Sequence, residues 1–212
     1  MDVILFLIDF ILHVDRYLGE IIRNFGGWTY FILFMIVFSE TGFVVTPFLP
    51  GDSLLFVVGT FGALGDLNFE LSMFLLIIAA ISGNTVNYFV GRFIGDKIMG
   101  MKNNRIIKKE YIEKTQAFYD RHGGKAIIFS RFIPIIRTFA PFVAGLGKMS
   151  VGRFFFYNFF GGISWVLLFG YAGYFFGNIP TVRNNFTYVI FAIIAISFLP
   201  TLIPLIRNKL RK

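Results

Sequence analysis

The chain has 212 residues, of which 56% are hydrophobic and only 15% charged, with a mean hydropathy of +0.72 and a net charge of +8. Soluble domains run nearer about 45–50% apolar and about 25% charged, so this composition excludes a disordered chain, a nucleic-acid-binding domain and an ordinary cytosolic enzyme, and indicates an integral membrane protein. The absence of cysteine removes disulfide, thiolate and Fe–S chemistry, and two distant histidines, His13 and His122, give no footing for a His metal site or a Ser-His-Asp triad.

A cleavable signal peptide is not expected, because the N-terminus opens on acidic Met1-Asp2 without a basic segment or an A-x-A site. Residues 1–24 are expected to form an amphipathic or partly embedded helix, since Asp9 interrupts the apolar stretch Val3 to Leu12. Three long runs carry no charge: Leu71–Gly91, Phe154–Val182 and Asn184–Ile206. Each can cross a ~30 Å hydrocarbon core as a helix, and unmet backbone groups in lipid favour helices over open strands. These predict spans over 71–92, 154–177 and 185–206, joined by a linker over 93–125.

Two further apolar regions are interrupted. Residues 25–65 contain Glu40, Pro47, Pro50, Gly51 and Asp52, and residues 126–148 contain Arg131, Pro134, Arg137, Pro141 and Gly145. Proline removes a helix hydrogen bond, and the freed backbone is tolerated at membrane depth only where protein or a watery cavity surrounds it. Both regions therefore read as broken helices or re-entrant hairpins. The segment Arg92–Lys125 holds nine Lys/Arg against four acids, and the tail adds Arg207, Lys209, Arg211 and Lys212. By the positive-inside rule the linker and the C-terminus are expected in the cytoplasm.

The halves resemble each other. Phe56-Val57-x-Gly59 recurs as Phe142-Val143-x-Gly145, and Gly91-x3-Gly95-Asp96 as Gly173-x3-Gly177-Asn178. A broken region followed by a span, opening outward once and inward once, is the pattern of an inverted transporter repeat. The expected fold is all-α: two opposed re-entrant hairpins plus transmembrane helices.

Glu40, Asp52, Arg131 and Arg137 are the charges that demand a reason. A charge at the bilayer centre costs at least about 2.5–3.5 kcal/mol on insertion scales, and such groups are functional by default. Two acids and two bases can neutralise one another if the broken regions face each other. The alternative is a structural ion-pair network, with Arg131 snorkelling to the headgroups. Asn84, Asn87 and Asn158 are read either as helix–helix glue or as cavity lining, and Trp165 as a packing or interface residue.

The strings Glu40-Thr41-Gly42 with Pro47-Phe48-Leu49-Pro50-Gly51-Asp52, and Phe129-Ser130-Arg131-Phe132-x-Pro134-x-x-Arg137 with Pro141-x-x-Ala144-Gly145 and Met149, resemble signatures of the DedA family (the SNARE-associated Golgi, or VTT, domain). Gly83-Asn84 with Tyr88-x-x-Gly91-Arg92, and Phe154-x-x-x-Asn158-x-x-Gly161 with Trp165 and Gly170-Tyr171-x-Gly173, extend the likeness over nearly the whole chain. Asn84 departs from it, since many members are expected to carry an acid there, which speaks against a proton role.

The resemblance implies a polytopic bacterial inner-membrane protein linked to membrane homeostasis and the proton motive force, without a cofactor. Several members are flippases for undecaprenyl phosphate, and the positions matching Glu40, Asp52, Arg131 and Arg137 are the essential ones. It implies lipid and proton partners, with no nucleic acid, and it is compatible with a homo-oligomer. On this reading Arg131 and Arg137 bind phosphate, Glu40 and Asp52 couple protons, and Asn84, Asn87, Tyr88, Asn158 and Trp165 line the cavity. A proton-coupled carrier for a small ion or solute, a general phospholipid scramblase and an assembly factor are the alternatives. A lipid phosphatase is discounted, because both histidines lie outside the charged cluster.

Overall fold

The structure is a computed structural model and describes residues 14–43, 51–100, 124–193 and 195–197. Pro47, Pro50, most of the expected linker, residues 1–13 and the end of the expected last span lie outside these. The described residues are helical, with no strand among them. In chain order the helices are α1 (Val14–Phe25), α2 (Trp28–Gly42), α3 (Gly51–Leu64), α4 (Phe69–Gly100), α5 (Lys125–Ser130), α6 (Pro134–Leu146), α7 (Val151–Phe176) and α8 (Pro180–Asn184). Helical residues resume over 186–193 and 195–197.

Among the described residues, only α4 and α7 combine the length and apolarity of a full crossing. Their most apolar stretches are 39% and 33% buried in the protein. The remainder exposes Phe74, Phe89 and Phe93 on α4 and Phe155, Phe156, Phe160 and Phe175 on α7. Such faces are costly in water and natural in hydrocarbon. Helix α4 runs to Gly100, beyond the expected limit near residue 92. Arg92, Asp96 and Lys97 end the apolar run but not the helix, because charged residues are compatible with helical backbone and Lys97 favours a helix C-terminus.

Both interrupted regions are short helices, each below the roughly 20 residues of a crossing. The first supplies α2 and α3. The second supplies α5 and α6, which pack together, with the break at Arg131 to Ile133. Pro134 occupies the first turn of α6, where a missing N–H costs nothing, and Ile133 before it is extended, as a pre-proline residue must be (φ −121°, ψ 107°).

The chain divides into two compact units. The first contains described residues 14–36, 51–77, 166–193 and 195–197, and the second 37–43, 78–100 and 124–165. In the first unit α3 buries its residues from Gly51 to Thr60 and crosses α7 closely. A Cβ on Gly59 would fall on the Gly170 carbonyl and crowd the Tyr174 N–H, and a Cβ on Gly173 would fall on the Phe56 carbonyl. In the second unit α6 crosses α4 in the same way: a Cβ on Gly145 would meet the Tyr88 carbonyl and Arg92 N–H, and one on Gly91 the Phe142 carbonyl. These are the positions of the sequence repeat, so the repeated glycines are helix-crossing points in both units.

Candidate functional site

The second unit buries Glu40, Arg131, Arg137 and three asparagines. Glu40 lies in the last turn of α2, where the negative end of the helix opposes a carboxylate. A cation offsets this. Arg137 on α6 places Nη2 2.5 Å from Glu40 Oε1, with both side chains almost wholly buried. The face of the Arg137 guanidinium lies 4.8 Å from the Trp165 ring centroid on α7, a cation–π arrangement. Pro141, one turn beyond Arg137, has no N–H to give the Arg137 carbonyl.

Asn87 on α4 braces this pair. Its Nδ2 donates to the carbonyls of Thr41 at 3.2 Å and Thr138 at 2.8 Å, the residues next to Glu40 and Arg137. Thr41 is within the final turn of α2, where carbonyls lack intrahelical partners, so side-chain amides are natural substitutes. Close approach at this point requires Gly83, where a Cβ would strike the Thr41 hydroxyl and the Phe38 carbonyl.

Arg131 sits at the end of α5 and is completely buried. No carboxylate among the described residues pairs with it; Nη2 donates to Asn158 Oδ1 at 2.5 Å and approaches the carbonyls of Ala80 at 3.3 Å and Asn158 at 3.4 Å. With the Asn84 amide turned so that its nitrogen donates to the Thr41 carbonyl at 3.2 Å, its oxygen accepts from Arg131 Nη2 at 2.9 Å. Asn158 Nδ2 in turn donates to the Ile81 carbonyl at 3.0 Å and Thr85 Oγ1 at 3.1 Å. Asn84, Asn87 and Asn158 are therefore buried residues whose hydrogen bonds run between helices.

Tyr88 is likewise a buried joint. It stacks on Phe154 at 4.2 Å, donates to the Met149 carbonyl and accepts from Arg92 Nη1 at 2.8 Å. Asp52 belongs to the first unit. It sits in the first turn of α3, where the helix dipole favours an acid, and its Oδ2 accepts from Ser197 Oγ at 2.9 Å.

The structure thus joins Glu40 to Arg137 and gives Arg131 amide rather than carboxylate partners. Sequence reasoning missed Thr85, Thr138 and Gly162. Thr85 follows Asn84 directly, and Gly161 and Gly162 lie one helical turn after Asn158, a spacing that marks a shared face. No group of three or more His, Cys, Asp or Glu suited to a metal occurs among the described residues.

The VTT domain family matches residues 49–175. The chain belongs to the DedA family. It is 55% identical over 211 residues to Protein DedA of Escherichia coli (strain K12), covering 99% of this chain and 96% of that protein. An uncharacterized membrane protein of Mycobacterium tuberculosis (strain ATCC 25618 / H37Rv) is 38% identical over 173 residues, 81% of this chain and 76% of that protein. Inner membrane protein YqjA of Escherichia coli (strain K12) is 36% identical over 154 residues, 73% and 70% of the two chains. No solved structure matches. The chain is accordingly a DedA-family membrane protein; Arg137, Arg131 and the amides of Asn84, Asn87 and Asn158 lie within the matched residues, and Glu40 precedes them.

Proposed function

We propose that this DedA-family protein moves an anionic lipid, undecaprenyl phosphate or a related lipid phosphate, across the bacterial cytoplasmic membrane, linked to the proton motive force. The observation that carries the reading is the Glu40–Arg137 pair, buried at 2.5 Å in an apolar helical protein that also buries Arg131 without a carboxylate among the described residues. Arg131 has no carboxylate partner among the described residues, which leaves its positive charge to be met by an anion. Guanidinium keeps its charge when buried and matches phosphate oxygens in geometry.

Glu40 occupies Arg137 in the resting state. Protonating Glu40 removes its charge and releases Arg137 for the phosphate. Asp52, hydrogen-bonded by Ser197, is the second proton-coupling acid. Carrying a negative charge inward against an inside-negative potential costs about 2.3 kcal/mol per 100 mV, and accompanying protons offset it. The inner-membrane name of YqjA supports the location, and the basic linker supports a cytoplasmic C-terminus. The glycine crossings common to the two units support an inverted repeat whose broken regions are re-entrant.

The test is reconstitution into vesicles with leaflet-resolved measurement of undecaprenyl phosphate. Transport is expected to require a pH gradient and to be lost in Arg137→Ala and Glu40→Gln. Transport that persists in either variant, or that ignores the gradient, defeats the reading. Equal movement of neutral phospholipids would replace it with a scramblase.

A further inference from the structure

We infer that Arg131 is the anion-binding end of a lipid site reached sideways between α4 and α7, with Asn158, Asn84 and Thr85 as its positioning residues. The inference rests on the lipid-phosphate reading and divides the work of the two arginines. Arg137 has its edge on Glu40 and its face on Trp165. Arg131 is held differently. Among the described residues its acceptors all meet one nitrogen, Nη2. Its Nε and Nη1 donate to no group among the described residues, although the side chain is wholly buried.

Donors buried in this way call for an acceptor, and a buried cation calls for a negative one. The choice of amides matters. An amide oxygen orients a guanidinium without cancelling its charge, whereas a carboxylate would occupy and neutralise it. The residue is thereby fixed in place and still fully cationic. The backbone of α7 makes room for it: a Cβ on Gly161 would lie 3.2 Å from Arg131 Cδ and 3.3 Å from Nε, and one on Gly162 3.4 Å from Nη2.

A path from the lipid side lies next to this cation. A groove of about 470 Å³ is lined by Ile78, Ile81, Ser82, Thr85, Phe155 and Phe159, nearly all apolar surface. At its wall Thr85 Oγ1 donates to the Ile81 carbonyl at 2.7 Å and accepts from Asn158 Nδ2, which belongs to the same amide that holds Arg131. Two hydrogen-bonded side chains therefore link the groove to the guanidinium. An apolar trough beside an uncompensated cation is complementary to one kind of molecule, a hydrocarbon chain bearing a phosphate monoester. The chain lies in the groove, and the phosphate reaches Arg131 when Thr85 and Asn158 part.

The full-length protein in phosphatidylcholine nanodiscs is titrated with dodecyl phosphate, with dodecyl maltoside as the neutral probe of equal chain length and with inorganic phosphate as the headgroup alone. Wild type is expected to bind dodecyl phosphate at least tenfold more tightly than either. Asn158→Asp, which brings a carboxylate to Nη2, is expected to lose at least tenfold of that affinity while its unfolding midpoint without ligand is held or raised. Thr85→Trp, which fills the groove, is expected to weaken dodecyl phosphate and spare inorganic phosphate.

Equal dodecyl phosphate binding by wild type and Asn158→Asp, or parallel loss of both phosphate probes in Thr85→Trp, overturns the inference. So does a wild type that does not distinguish the three probes. If the binding pattern holds but purified protein moves no lipid between leaflets, the site stands and the transport reading falls. If Asn158→Asp transports at the wild-type rate, the transport reading stands and the site falls.

Discussion

Glu40 and Arg137 are 97 residues apart in sequence, yet a hydrogen bond of 2.5 Å joins their side chains inside the protein. Breaking a buried pair by removing one member typically costs about 3–5 kcal/mol, because the other charge is left uncompensated, whereas replacing both with apolar groups is often near neutral. Glu40→Ala is therefore expected to lower the thermal unfolding midpoint in detergent more than the double variant Glu40→Ala/Arg137→Met does. Both are expected to be inactive in leaflet transfer. A double variant less stable than either single one would mean that the pair is not the stabilising unit.

The glycines at the helix crossings make a sharper test of packing. Gly59→Ala and Gly145→Ala drive a methyl into a backbone carbonyl of the neighbouring helix, so each is expected to destabilise by about 1–3 kcal/mol. Gly152, with nothing within 4 Å of its Cβ direction, lies in the first turn of α7. Gly152→Ala is expected to be neutral or to stabilise by up to about 1 kcal/mol, since alanine is the better helix former. Unfolding midpoints of the three variants, measured side by side, decide the matter.

Asn87 is expected to be intolerant of isosteric change. Asn87→Asp replaces a donor with an acceptor that faces two carbonyls, and Asn87→Leu leaves both carbonyls without that donor. An unsatisfied buried group costs about 1–3 kcal/mol, so both variants should unfold earlier than wild type, with Asn87→Asp the worse because it adds a buried charge. Hydrogen exchange at the end of α2 and along α6 should accelerate in both.

Trp165 covers the face of Arg137. Cation–π contacts contribute from about 0.5 kcal/mol when exposed to about 2 kcal/mol when desolvated, and indole is the best of the aromatic faces. Trp165→Phe is expected to keep part of the contribution and Trp165→Leu to lose it. The difference should vanish in an Arg137→Met background, as a double-mutant cycle in unfolding measurements would read.

The sequence by itself determined the membrane character, the helical class, the family and the identity of the charged residues, because these depend on composition, run length and local order. It marked one break correctly, since Pro134 sets the start of α6 and the extended Ile133 before it, but Pro141 and Gly145, also read as breaks, lie inside the continuous helix α6. Partnership was another matter. The two acids and two bases read as able to neutralise one another; the structure joins Glu40 to Arg137, gives Arg131 amides from Asn158 and Asn84 on other helices, and brings Ser197 to Asp52 from 145 residues away. Which acceptor meets which donor depends on how helices cross, and the crossings are set by glycines meeting carbonyls of distant residues. Only the tertiary structure decided that, because a hydrogen bond is satisfied by proximity in space and the linear order of an apolar chain carries little record of it.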